Sequence, residues 1–158
     1  RPPRPTLFPY TTLFRSHGAD FQQWVYPQPA VPYLDVPRFL DASVGSIILY
    51  RMTDTNRRLC ASNKLYEAVA RGRPVLVGSN PPLLDAVRRM RCGYVLQDDG
   101  SSVPELMTGM RQVWENGIEY SRQAQHARAD VLWERQEHVF RDLLERPGAV
   151  GAEWHTVR

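Results

Sequence analysis

In SNKLYEAVARGRPVLVG, residues 62–78, a serine, an asparagine, a lysine and a glutamate fall within the first turns of what reads as one helix. Leu65, Ala68 and Val69 recur at helical spacing, and Ser62 stands where the cap of that helix belongs. The first N–H groups of a helix have no partner inside it, and its dipole is positive at that end. Both features suit a phosphate. Lys64, in the first turn, adds a full positive charge. Glu67, about one turn further on, can accept hydrogen bonds from the neighbouring hydroxyls of a ribose, as acidic residues do in dinucleotide folds. Arg51, Arg57 and Arg58 place more positive charge in the segment just before. Diphosphate at the helix tip and ribose beside a carboxylate together point to a nucleoside diphosphate. The plainer reading of Glu67 is an ion pair with Arg71, four residues on. The plainer reading of Lys64 and the three arginines is solvation. Ser62 and Asn63 serve as a cap under either reading.

The remaining reactive side chains make no comparable group. His17, His126, His138 and His155 are scattered, and the Glu134–His138 pair at i, i+4 has no third ligand beside it, so no metal site is expected. Cys60 lies near the proposed site but has no adjoining histidine to activate it, and an ordinary thiol is the expectation. Cys60 and Cys92 form no close-spaced pair, which fits a reduced intracellular protein. The basic run RRMR at 88–91 reads as a solvated helix end, where cations suit the dipole. A nucleic-acid surface would interleave aromatics with such charges; this run has none, so no nucleic-acid partner is expected. The phosphate loop of NTPases and the glycine fingerprint of dinucleotide enzymes are both absent from the sequence.

The elements that must position residues 62–67 can be read on either side of them. FQQWVYPQPAV (21–31) reads as a short strand and a turn, and VPRFLDAS (36–43) as one or two helical turns with Pro37 early, where a missing N–H costs little. VGSIILY (44–50) is a continuous apolar run rich in branched residues, the pattern of a parallel strand buried on both faces. RMTDTNRRLCAS (51–62) is a polar, basic loop. Gly72 is placed to end the helix that starts after Ser62. RPVLVG is a second strand, and NPPLLDAVRRM a helix with Asn80 as cap and Pro81 first inside it. CGYVLQ is a third strand. SVPELMTGMRQVWENG is a helix closed by Asn116 and Gly117, and IEYSRQAQHARA another. Asp130 caps a last helix, WERQEHVFRDLLER, whose Trp133, Phe140 and Leu144 share one stripe and which Pro147 and Gly148 stop. Strands alternating with helices make a parallel sheet with crossover helices. Such a sheet binds ligands at the carboxyl ends of its strands, which is where Ser62 falls.

Composition fits this picture. The 158 residues give room for one domain of ordinary size with a sizeable core, and 42% hydrophobic with 23% charged residues is the balance of a globular chain. A net charge of +3 is mildly basic, compatible with a phosphate pocket. No apolar run approaches the roughly 18 residues of a membrane span, and a cytoplasmic location is expected. Residues 1–16 differ from the rest. TLFPYTTLFRS (6–16) resembles, residue for residue, one reading frame of a widely used sequencing-library adapter. Residues 1–16 are therefore expected to be artefactual or disordered, with the genuine protein beginning near His17. A natural edge strand that tolerates Pro9 is the alternative.

VPYLDVPRFLDASVGSIILYR, NKLYEAVARGRPVLVG, CGYVLQDD and WERQEHVFRDLLE, in that order, resemble the donor-binding lobe of glycosyltransferases with two facing Rossmann-like domains, the GT-B fold, and in particular the group 1, or family 4, type. The likeness covers roughly residues 31–145 and is most specific in the asparagine–lysine–leucine step followed by a glutamate and GRPV. It implies an α/β fold: a Rossmann-like parallel sheet with flanking helices, part of a GT-B C-terminal domain, with a helical C-terminal end. The nucleotide-sugar-binding lobe would span 17–146 and a flexible tail 147–158. The resemblance implies transfer of a sugar from a nucleotide-sugar to an acceptor hydroxyl. Glu67 would hold the ribose, with Ser62, Asn63, Lys64 and Arg51 toward the diphosphate. No cofactor is needed, since the nucleotide-sugar is a substrate, and no catalytic residue is assigned. The acceptor is not identified; its lobe would lie upstream, and a full-length protein of this type can associate peripherally with a membrane. The chain alone would not catalyse. Two departures stand out. Many relatives carry a second glutamate eight positions before the ribose-binding one, where this chain has Leu59, and their upstream arginine–lysine pair is not visible. The alternatives are a sugar-nucleotide epimerase of the same architecture and a non-catalytic α/β module that docks a protein or RNA.

Overall fold

The computed structural model describes residues 30–145. The adapter-like segment, the strand expected within 21–29, the stop at Pro147 and Gly148, and the tail lie outside the described residues. The chain divides into two compact units, Arg1–Val36 and Pro37–Arg158. The described part of the first is a 3-10 turn, Tyr33–Asp35, closed by the Asp35 N–H on the Pro32 carbonyl at 2.9 Å.

Helix α1 (Val36–Ala42) begins at the boundary, and the helical turns expected there are present. The second unit then runs β1 (Ser46–Ile48), α2 (Thr55–Leu59), α3 (Asn63–Ala70), β2 (Val75–Val77), α4 (Pro81–Met90), β3 (Gly93–Val95), α5 (Val103–Glu115), α6 (Gly117–Val131) and α7 (Trp133–Glu145). The three strands form one parallel sheet in the order β1-β2-β3, with Ser46 opposite Val75 and Val75 opposite Gly93. The expected mixed α/β class with a parallel sheet and flanking helices is what the chain forms.

Alternation along β2 sorts the core into two layers, because successive side chains of a strand point to opposite faces. Val75 and Val77 pack with Leu65, Ala68 and Val69 of α3, Leu83, Ala86 and Val87 of α4, and Ala124 and Ala127 of α6. Leu76 packs the other way, with Leu96 and with Val113 of α5. Small residues on α6 let it lie close across α3. Gly93 is where β3 approaches β2 most tightly: a Cβ there would lie 1.9 Å from the Val75 carbonyl oxygen, so no other residue fits without moving backbone.

Several expectations are corrected. Among the described residues β1 is an edge of the sheet, Ile47 is 52% exposed, and the apolar run 44–50 is not buried on both faces. Residues 51–62 are not all loop. Asp54 accepts the Arg57 N–H at 2.9 Å and so nucleates the single turn of α2. Gly117 does not close α5; it is the first residue of α6, and Asn116 stands between the two helices. Asp130 does not cap α7. It lies inside α6, with Leu132 as the break. Gly72 does end α3, at φ +65°, with its N–H on the Val69 carbonyl and the Arg73 N–H on the Ala68 carbonyl, both at 2.9 Å. The stripe on α7 forms, with the Trp133 and Phe140 rings 5.7 Å apart, but α7 buries none of its residues. Among the described residues no helix is long and apolar enough to cross a membrane.

Candidate functional site

The β1–α3–β2 crossover places the start of α3 at the carboxyl edge of the sheet, because a helix linking parallel strands must begin where the first strand ends. Leu65, Ala68 and Val69, each 0% exposed, pin one face of α3 against the sheet. That anchoring leaves Asn63 and Lys64 exposed at the tip and Glu67 half-buried one turn on. The structure thus brings Ser62, Asn63, Lys64 and Glu67 onto one helix start, in the order expected.

Ser62 occupies the cap position but does not cap. Its side chain makes no hydrogen bond to the helix N–H groups. It is 4% exposed, and its Oγ accepts from the Tyr50 hydroxyl at 3.0 Å. The Leu65 N–H reaches the Ser62 carbonyl at 3.1 Å. No side-chain cap therefore takes the N–H groups of Asn63 and Lys64, which remain positioned for an anion. The expected capping role of Ser62 is corrected: Tyr50 has drawn its side chain away.

The basic residues are less concentrated. Arg51 is exposed in the loop that follows Tyr50. Arg57 is turned back on its own turn, bonding Thr53 Oγ1 at 3.1 Å and pairing with Asp54 at 3.3 Å. Arg58 is exposed on α2. Arg71, the plain partner expected for Glu67, places both Nε and Nη2 on the carboxylate of Asp41 instead. That guanidinium hydrogen bond holds the Asp41 carboxyl below its ordinary range.

Two further groups shape this edge and are not evident from residue type alone. Tyr50 is the first. Its place at the end of an apolar run marks it as core, and only its polar tip hints at a second role. Asp98, just past β3, is the second. Its carboxylate accepts the N–H groups of Gly100 and Ser102 at 2.9 and 2.8 Å, and its carbonyl accepts the Ser79 N–H at 2.8 Å. These bonds tie the loop after β3 to the loop after β2. The DDGSS sequence is a turn signal of the kind that makes such local bonds.

Two hollows lie away from the α3 tip. One, about 350 Å³, is lined by Arg88, Arg91, Tyr94, Glu119 and Tyr120. The other, about 680 Å³, sits at the amino edge of the sheet, between Val44, Arg73, Trp114 and Ile118. Among the described residues no group of three or more His, Cys, Asp or Glu is placed to hold a metal ion. Chemically, the α3 tip offers backbone donors and a lysine to an anion, and a carboxylate acceptor one turn away. No family model, no curated protein and no solved structure matches this chain.

Proposed function

We propose that this chain is the nucleotide-sugar-binding lobe of a two-lobe glycosyltransferase of the GT-B kind. The observation that carries this reading is the start of α3. An uncapped helix tip, an exposed lysine in its first turn and a half-buried glutamate one turn on sit together at the carboxyl edge of a parallel sheet. The tip and Lys64 receive the diphosphate, which gains most charge as the sugar leaves, and preorganised donors stabilise that charge. Glu67 accepts the ribose hydroxyls. The sugar passes to an acceptor hydroxyl held by a facing lobe, so the chain alone binds the nucleotide and transfers nothing. Leu59 in place of a second acidic residue means that the donor sugar is held by other groups.

Thermal unfolding with UDP, GDP and ADP tests the reading. At a hundredfold excess over Kd, a bound nucleotide stabilises the folded chain by about 2.7 kcal/mol. One of the three is expected to raise the melting temperature, and Glu67→Ala to abolish the rise while leaving the ligand-free melt unchanged. A shift that survives Glu67→Ala removes the ribose assignment. No shift with any nucleotide, beside a shift with RNA, replaces the transferase reading by a binding module.

A further inference from the structure

We propose that the outer edge of β3 receives an extended, acidic segment of another protein, which adds to the sheet as a further strand and sets its carboxylates against Arg88 and Arg91. The backbone of β3 is only half used. The Cys92 carbonyl accepts the Val75 N–H at 3.1 Å, and the Leu96 N–H donates to the Val77 carbonyl at 2.9 Å. Along a parallel strand the peptide groups of alternate residues point to opposite sides. Cys92, Tyr94 and Leu96 therefore spend theirs on β2, and Gly93 and Val95 turn N–H and C=O outward. Among the described residues β3 has no neighbour but β2, so these groups form an unused ladder. The pairing of Val75 with Gly93, Leu76 with Tyr94 and Val77 with Val95 runs without a bulge, and CGYVLQ has no lysine or proline. Those are common means of blunting an edge against a new strand.

The space and the charge beside this edge define the occupant. A hollow of about 350 Å³ is lined by Gly93, Tyr94 and Val95 along the strand, with Arg88 and Arg91 from the end of α4 on its rim. Both arginines are exposed. Arg57, Arg71, Arg122 and Arg141 each pair with a carboxylate, whereas Arg88 has no such pair among the described residues. The one carboxylate lining the hollow, Glu119, already accepts from Arg122 at 2.5 Å and from Gln123 at 2.7 Å. A surplus of positive charge remains. Arg91 also ends α4 in the left-handed conformation, φ +54°, where glycine is the usual residue. An arginine there carries a backbone cost and places a charge at the mouth of the edge. A ladder of alternating donors and acceptors fits a peptide, since a phosphodiester offers acceptors only, and the surplus charge selects a peptide with acidic side chains. None of these residues belongs to α3 or its cap, so the proposal stands apart from the nucleotide reading.

NMR titration of the whole chain tests it with a blocked heptapeptide of alternating glutamate and valine. The Gly93 and Val95 amide resonances are expected to shift saturably. The same peptide methylated at its backbone nitrogens is expected to bind at least about tenfold more weakly, the scale of two lost hydrogen bonds. Arg88→Ala and Arg91→Gly should each weaken the unmethylated peptide about threefold, the scale of an exposed ion pair. The melting temperature of Arg91→Gly should not fall, because glycine takes φ +54° without strain. Equal binding of the methylated peptide removes strand addition, and equal binding of a lysine–valine counterpart removes the charge selection; either overturns the proposal. So does the absence of any shift at Gly93 and Val95, or a uridine hexanucleotide that shifts them where the acidic peptide does not.

Discussion

The two consecutive strand-to-helix units of this fold end in opposite ways. In the second, α4 opens with Pro81 and Pro82, which have no N–H to offer, and the next N–H, of Leu83, is taken by Asn80 Oδ1 at 3.2 Å. The Asn80 amide also donates to the Arg57 carbonyl, and the residue is 0% exposed. The side-chain oxygen and nitrogen of Asn80 and its carbonyl, which accepts the Leu84 N–H at 2.9 Å, are all engaged. In the first unit, α3 opens with Asn63 and Lys64, both with N–H groups, and its cap serine is bonded to Tyr50. Ser62 and Asn80 are almost equally buried, so burial does not separate them. What separates them is where the cap side chain spends its hydrogen bonds. A helix start whose own residues satisfy it is structural; at α3, as at α6 where Asn116 makes no cap bond, the first N–H groups have no side-chain acceptor.

The largest effect that follows from this contrast falls on the closed unit. Asn80→Ala removes the acceptor of the buried Leu83 N–H and the donor to the part-buried Arg57 carbonyl. The loss of a cap and of a second, part-buried bond is expected to cost about 2–4 kcal/mol in urea unfolding. A cost below about 1 kcal/mol, the value of an exposed contact, would mean that the closed start is no more structural than the open one.

Much of this contrast is legible in the sequence. Asn80 followed by Pro81, and Gly72 after a run of apolar residues at helical spacing, declare a helix start and a helix end through backbone chemistry that acts locally. The strands at 75–77 and 93–95 are short apolar runs between such signals, and they form where expected. What escaped depends on partners distant in sequence. Ser62 has the right residue type for a cap, and only the fold, by bringing Tyr50 twelve positions back beside it, decides that it does not act as one. Ile47 sits in a run that reads as buried on both faces, yet among the described residues β1 is an edge of the sheet and Ile47 is exposed. Trp133, Phe140 and Leu144 show the period of a buried stripe, but period says which residues share a face and not whether anything covers it. They are 58%, 55% and 76% exposed.

The cysteines sharpen the same contrast. Cys92, at the end of the closed unit, is 0% exposed, and burial pushes its thiol up to about 11. Cys60, two residues before Ser62 on the open side, is half-buried. Iodoacetamide at pH 8 is expected to label Cys60 and to spare Cys92 until the chain unfolds; equal labelling would mean that the closed unit opens readily. The thiol of Cys92 also sets a pH dependence. In the unfolded chain it ionises near its ordinary value of 9.0, before the folded one does. Between about pH 9 and 11 the unfolded state therefore binds fewer protons, and stability falls as pH rises, by about 2–3 kcal/mol over that window. Below pH 9 this group contributes no slope. Cys92→Ala is expected to flatten the alkaline limb of a pH–stability curve, and an unchanged limb would assign the slope elsewhere.

The smallest expected effect is the most discriminating. Cap serines mutated to alanine lose about 1 kcal/mol because an N–H of the helix is left without its partner. Ser62→Ala removes no such bond, since none is made. It removes only the contact with Tyr50, a residue partly reached by solvent, so water can replace the lost partner. Its cost is expected to be about 0.5 kcal/mol or less, within the range of a single hydrogen bond offset by solvent. Ser102→Ala serves as the reference, because Ser102 accepts the Glu105 N–H at 3.3 Å at the start of α5. If the two alanine variants lose stability equally, Ser62 caps α3 in solution, and the helix starts differ only in sequence. If Ser62→Ala is clearly the milder, α3 is held with its first turn unsatisfied by the Ser62 side chain.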